Sequence, residues 1–165
     1  MFGSQLKLII KENALVFRLS KIMRIINGLI CLSLIISAIL LKDINAFIVI
    51  VIFITLLASL YNEYWTFDLS HNSFIHFYGL GIIGKKMIGN IESIESIELT
   101  SSVFHSIQTN KKKDIQPKGM CTLTINSMNI GSLDIEKRSL NQKKELVTWG
   151  ELLSSKLNKP FINNN

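Results

Sequence analysis

The residues of this chain that could support catalysis or bind a metal are few and scattered. His71, His76 and His105 are its three histidines, and none lies at metal-ligand spacing from another histidine, cysteine or carboxylate. A turn, a strand and a strand end are their predicted positions. The sequence therefore predicts no catalytic residue, no cofactor-binding residue and no metal site, and we expect a protein that is not an enzyme.

The glutamates and cysteines likewise indicate no catalytic or metal site. Three glutamates recur at every third position of IESIESIEL, but no histidine or aspartate supports them at a ligand spacing, so a solvated edge is favoured over a metal or acid–base cluster. Cys31 lies in an apolar run and Cys121 in a predicted strand, each without a nearby partner. No disulfide framework is implied, which fits a reducing compartment.

Lysines form the most suggestive functional pattern. Residues 108–119 read QTNKKKDIQPKG, a polar loop that could touch anionic headgroups or a protein partner, with about 1 kcal/mol per basic residue near a charged surface. A solvated loop without a partner is the alternative. Two lysines in the preceding segment join this surface if the domain folds as a compact barrel. The candidate contacts are Lys85, Lys86, Lys111, Lys112, Lys113 and Lys118.

The net charge of +6 is unevenly distributed. Residues 1–24 hold five basic residues against one acidic residue, whereas residues 62–165 hold twelve against ten. A basic excess beside an apolar run is typical of a topology signal and of headgroup contact. We therefore expect a lipid bilayer as a partner and no nucleic acid.

Two uncharged runs follow the basic segment. Ile25–Leu41 has 17 residues and Ile44–Tyr61 has 18, each close to the roughly 20 residues that span a bilayer. They predict a transmembrane hairpin over residues 22–61, with antiparallel helices joined at Lys42 and Asp43. Buried helices of a soluble protein and a cleaved signal peptide are the disfavoured alternatives.

Positive charge sets the predicted orientation. The basic N-terminal segment, residues 1–21, should be cytoplasmic, and with it the C-terminus, which makes the protein an integral, multi-pass membrane protein. Small polar residues four apart on both helices suit packing within the hairpin, with homo-oligomerisation as the alternative. The predicted interface anchors are Arg18, Lys21, Arg24, Tyr61, Tyr64 and Trp65.

Residues 62–165 have the pattern of a β-rich domain. WTFDL alternates in the β manner, FIHFY follows after a turn, and strands are predicted again near residues 94–103, in CTLTIN and in MNIGSLDI. Ser139 and Gln142 have capping-box spacing ahead of an amphipathic helix at about 139–158. Pro160 ends this helix, and its predicted apolar face consists of Leu146, Trp149, Leu153 and Leu157. An α+β domain is predicted, an antiparallel barrel or sandwich with one C-terminal helix.

This order of elements resembles that of a known group of membrane proteins. A basic N-terminus, a two-helix hairpin, WTFDLSHNSFIHFYGLGIIGKK, IESIESIEL and a closing helix ending KLNKPF resemble the bacterial membrane proteins with a pleckstrin-homology-like domain. More distantly, the chain is similar to the photosystem I assembly factor of plastids and cyanobacteria. The first resemblance implies a bacterial inner membrane and the second a thylakoid with stromal termini, and neither brings a catalytic residue.

Two functions follow as hypotheses. The first is a membrane-anchored, non-enzymatic interaction module that presents its pleckstrin-homology-like domain at the cytoplasmic face to anionic lipid headgroups or a protein partner of unknown identity. The second, implied by the distant resemblance, is an assembly factor for a membrane protein complex. A small enzyme or transporter component is a third, disfavoured class, since the apolar runs carry no charge.

Overall fold

The computed structural model of this protein describes residues 6–41, 45–103 and 119–164. Within them, nine strands and three α-helices form an α+β fold with two sheets. In chain order the elements are β1 Leu6–Lys11, β2 Ala14–Leu19, α1 Lys21–Leu41, α2 Ala46–Leu60, β3 Tyr61–Asp68, β4 Ser73–Leu80, β5 Ile83–Asn90, β6 Ile94–Val103, β7 Gly119–Ser127, β8 Gly131–Ser139, α3 Lys143–Leu157 and β9 Phe161–Asn164.

The first sheet is an antiparallel meander in the order β1-β2-β3-β4-β5. The predicted alternation in β3 is confirmed, because Trp65 and Phe67 are fully buried on the inner face while Thr66 lies on the other. The whole helix pair is inserted between β2 and β3, which are nonetheless hydrogen-bonded neighbours. The helix pair is therefore connected at its two ends to adjacent strands of the sheet.

The second sheet has the order β8-β7-β6-β9, and its last strand runs parallel to β6. A bulge interrupts the pairing of β7 with β8, because Leu123 pairs with Glu136 while Thr124 pairs with Asp134. Ile135 is the extra residue, and it changes the side-chain alternation of β8. Glu136 and Arg138 consequently point inward and are 7% and 5% exposed.

One core joins the two sheets. Phe17, Trp65 and Phe74 of the first sheet share it with buried aliphatic residues of β6 and β7. Trp149 of α3 reaches Phe17 at 5.2 Å between ring centroids, so the helix contacts both sheets. The predicted apolar face of this helix is confirmed, since Leu146, Trp149, Leu153 and Leu157 are buried.

α1 and α2 pack against each other in antiparallel fashion. Arg24 Nε donates to Ser59 O at 3.3 Å, and Cys31 Sγ contacts Ile52 O at 3.7 Å, so positions rise along one helix as they fall along the other. Asn45 caps α2, its Oδ1 accepting from Ile48 N at 3.0 Å. Most apolar side chains of the pair are exposed, with Leu40 76% and Phe47 74% exposed.

Within the described residues, no helix is both long enough and apolar enough to cross a membrane. α2 has 15 residues, because Tyr61 already starts a strand, and α1 carries Lys21 and Arg24 in its first turn. The charge-free helical stretches thus fall short of the roughly 20 residues that a span needs. This finding contradicts the transmembrane hairpin, the integral, multi-pass location and the corresponding fold class that the sequence predicted.

Both ends of the described chain differ from their sequence interpretation. The predicted basic segment at residues 1–21 contains β1 and β2, two strands of the first sheet. At the other end, a single 3₁₀ turn at Leu140–Gln142 precedes α3, and Ser139 makes no side-chain capping bond. The helix ends at Leu157, its C-cap Asn158 adopts φ 53°, and β9 follows Pro160.

Candidate functional site

A basic pocket opens where the helix pair meets the first sheet. Its volume is about 350 Å³. The end of β2, the first turn of α1 and the beginning of β3 supply its walls. The lining residues are Val16, Arg18, Leu19, Lys21, Arg24, Asn62 and Tyr64.

Strand register and helix start together position the cations of the basic pocket. Arg18 pairs across the strands with Tyr64, so both project from the outer face of the first sheet, away from the core. Lys21 is the first residue of α1, two residues after β2 ends. Arg24 lies one helical turn further on and donates through Nη1 to Asn62 Oδ1 at 3.4 Å.

The basic pocket has a strongly one-sided charge. Its three cations face no carboxylate among the lining residues, all of which lie in the described part of the chain. No described acidic residue forms an ion pair with Arg18, Lys21 or Arg24. Guanidinium groups hold phosphate and carboxylate by charge-assisted hydrogen bonds, and an ammonium adds a mobile point charge. The arrangement suits an anion that carries a phosphate group.

An apolar surface adjoins the basic pocket. Ile22, Ile25 and Leu60 flank it on the two helices and are 59%, 60% and 43% exposed. Neither α1 nor α2 is covered by another described element over most of its length, and no residue of α2 is buried. Large apolar patches on a protein surface often mark interaction sites, so this surface is a candidate for one.

The structure brings together four of the six residues that the sequence predicted as interface anchors. Arg18, Lys21, Arg24 and Tyr64 all line the basic pocket. Trp65 needs correction, because it is fully buried in the core and stacks on His76 at 3.9 Å between centroids.

Tyr61, the sixth predicted anchor, lies on the opposite face of the sheet from the basic pocket. It is half-buried there, and its hydroxyl donates to Glu63 Oε2 at 2.9 Å. Burial and the Glu63 carboxylate together raise the pKa of Tyr61 to about 12. Its side chain therefore serves the inner face rather than the pocket.

Of the predicted lysine contacts, Lys111, Lys112, Lys113 and Lys118 lie outside the described residues. Lys85 and Lys86 are both exposed on β5 but point to opposite faces of the first sheet. Lys86 pairs with Phe77 on the outer face, and Lys85 pairs with Tyr78 on the inner face. Only Lys86 shares a face with the basic pocket.

A second polar cluster lies on the inner face of the first sheet. His76 Nε2 is 3.5 Å from Glu63 Oε1, and the His76 ring lowers the pKa of Glu63. The His76 nitrogens are buried without a hydrogen bond. This cluster extends the core stack of Trp65 toward the partly exposed side chain of Glu63.

A buried ionic tie connects the two sheets. Leu6 N donates to Glu136 Oε2 at 3.0 Å, and Arg138 Nη2 donates to Leu6 O at 2.9 Å, so β8 holds both backbone groups of a β1 residue. Arg138 also pairs with Glu145 of α3 and lies 4.4 Å from the centre of the Trp149 ring. Burial raises the pKa of Glu136 to about 7, against the lowering effect of Leu6 N and Arg138.

The other chemically active side chains stand apart. His71 pairs with Asp68 in an exposed turn and lowers the pKa of that carboxyl, whereas His105 lies outside the described residues. Cys31 and Cys121 are buried, and burial raises the pKa of the Cys121 thiol. In the described ranges, no three His, Cys, Asp or Glu side chains are grouped so as to hold a metal.

Sequence reasoning named the pocket cations but did not predict that they form a pocket. It treated them as interface anchors and as topology charges ahead of an apolar run, whereas their arrangement depends on β2 pairing with β3 across the inserted helices. A usable signal was present in ALVFRL, where Leu15, Phe17 and Leu19 alternate with Val16 and Arg18.

No protein-family model and no curated protein matches the chain, so these comparisons assign it to no family.

Proposed function

We propose that this protein is a binding module for an anionic phospholipid, with the phosphate in the basic pocket and the acyl chains along the apolar side of α1 and α2. The observation that carries the proposal is the set of three cations with no carboxylate among the pocket's lining residues. Non-enzymatic binding is the activity proposed, since the pocket lining includes no histidine, cysteine or acidic residue.

The pocket's neighbours favour a lipid over a small water-soluble phosphate. A volume of about 350 Å³ accommodates a headgroup. Exposed isoleucines of α1 begin at Ile22, between two of the pocket cations, so the polar and apolar parts of one ligand would meet their complements within a single helical turn. Each CH₂ group of an acyl chain buried there contributes about 0.8 kcal/mol.

Titration with a short-chain lipid tests the proposal on the pocket alone. The full chain, kept in a mild nonionic detergent, is titrated with dihexanoyl phosphatidylglycerol and, separately, with dihexanoyl phosphatidylcholine, and heats of binding are recorded. We expect saturable binding of the anionic lipid and much weaker binding of the zwitterionic one. Arg18→Gln with Lys21→Gln should weaken anionic binding by about twenty- to thirtyfold, from about 1 kcal/mol per cation.

The control removes a charge elsewhere. Lys144→Gln changes an exposed lysine of α3 and should leave the affinity unchanged. Arg24 is not substituted, because its bonds to Ser59 and Asn62 join α1 to α2 and to β3. Equal binding of the two lipids, or an unchanged affinity in the double variant, would refute the proposal. Glycerol phosphate binding as tightly as the anionic lipid would instead assign the pocket to a water-soluble phosphate ester.

A further inference from the structure

A row of basic and aromatic residues crosses the outer face of the first sheet and includes one wall of the basic pocket. Each member pairs with the next across adjacent strands, from β1 to β5. The ring centroids of its two aromatic members are 5.2 Å apart and nearly parallel. This outer row consists of Lys7, Arg18, Tyr64, Phe77 and Lys86.

Strand geometry gives the outer row its extent. Five strands at a spacing of about 4.8 Å place Lys7 and Lys86 roughly 19 Å apart. Tyr64 is three residues along β3 from Tyr61, so the outer row lies about 10 Å from the root of the helix pair. That distance is close to one Debye length at physiological ionic strength, over which charged surfaces still interact.

The outer face is also basic as a whole. Among the described strand residues of the first sheet, its cations include Lys7, Arg18 and Lys86, and Asp68 is the one carboxylate on that face. Asp68 lies at the end of β3 remote from the helices and is paired with His71. No described element covers the outer row, and Lys7 and Lys86 are exposed.

We infer that the outer row is a second lipid-contact surface, which lies against the headgroups of neighbouring anionic lipids while the basic pocket holds one. The inference rests on the proposed function, since the row and the pocket share Arg18 and Tyr64. Lysines at both ends contact separate headgroups, and the Tyr64–Phe77 stack sits at headgroup depth, where amphipathic rings are favoured. Binding then depends on the density of anionic lipid rather than on a single molecule.

Lys85 and Lys86 provide a matched pair for the test. They are adjacent and exposed, with equal charge, and differ in the face of β5 that carries them. Lys86→Cys and Lys85→Cys are each labelled with a small fluorophore; the two native cysteines are buried and should react slowly. Vesicles of phosphatidylcholine with phosphatidylglycerol carry a nitroxide on a fraction of headgroups. We expect at least threefold stronger quenching at position 86 than at position 85.

A charge variant separates this inference from the proposed function. Lys7→Gln removes a cation that does not line the basic pocket, so we expect about fivefold weaker binding to anionic vesicles and unchanged binding of dihexanoyl phosphatidylglycerol. Equal quenching at positions 85 and 86, with short-chain binding intact, overturns the outer row alone. If the unmodified chain does not bind dihexanoyl phosphatidylglycerol, the proposed function of the basic pocket is refuted, and the inference about the outer row loses its basis.

Discussion

The carboxyl group of Glu136 lies between the two sheets, in a position that the β8 bulge creates. If the strand had no bulge, regular alternation from Leu133 would place Ile135 inward and turn Glu136 outward. Its oxygens instead face Leu6 N and Arg138, yet burial outweighs these partners and raises the pKa of Glu136 to about 7. A single backbone irregularity thus places an ionisable group where its charged form is disfavoured.

This pKa makes stability depend on pH. Because the folded-state pKa of Glu136 lies above its ordinary value of 4.5, the folded protein binds the proton more tightly than the unfolded chain. The free energy of unfolding should therefore fall by about 3 kcal/mol as pH rises from 4.5 to 7, relative to Glu136→Gln, which has no proton to lose. Chemical denaturation of both proteins across this range measures the difference, and parallel curves would contradict the prediction.

At the scale of elements, α3 approaches β9 unusually closely. Gly150 is buried on the helix face that carries Trp149, and a Cβ at this position would lie 2.2 Å from Phe161 Cε2. A helical glycine ordinarily costs about 1 kcal/mol relative to alanine. Here the missing side chain makes room for the Phe161 ring, so the close packing compensates for the helix propensity that is lost.

Gly150→Ala should accordingly destabilise the protein, by about 1–3 kcal/mol, because the added methyl group overpacks against an aromatic ring. Ser155→Ala is the matched control, since this exposed position of α3 should gain a few tenths of a kcal/mol from helix propensity alone. Thermal unfolding followed by circular dichroism compares the two. Stabilisation by both substitutions would show that Phe161 moves aside without cost.

The elements themselves differ in how far the sequence predicts them. The β3–β4 hairpin and the apolar face of α3 follow from periodicity, because each buries one face against a core. β9 has only four residues and no periodic pattern of apolar residues, so the sequence does not indicate it. Its position depends on parallel pairing with β6. The basic pocket likewise depends on the strand register between β2 and β3, which the number of charges along the sequence does not reveal.

Over the whole molecule, the helix pair extends from the first sheet, and the second sheet packs against the inner face of the first. The two sheets share a core, and the tie from Glu136 and Arg138 to Leu6 adds polar contacts at the edge strand β1. β1 in turn pairs with β2, where Leu6 lies opposite Leu19 and Arg18 lines the basic pocket. The pocket is therefore positioned partly by a contact on the other side of the sheet.

Arg138→Met tests this connection between the sheets. Methionine retains much of the apolar bulk beside Trp149 but leaves Glu136 and Leu6 O without their cationic partner, a kind of loss that costs about 3–5 kcal/mol when a buried pair is broken. Because protonation discharges Glu136, the cost should be smaller at pH 5 than at pH 8. Hydrogen–deuterium exchange should accelerate first in β1 and β2, before β3 and β4 respond. Uniform acceleration through both sheets would instead show that Arg138 supports the core as a whole and does not specifically hold the strand that leads to the pocket.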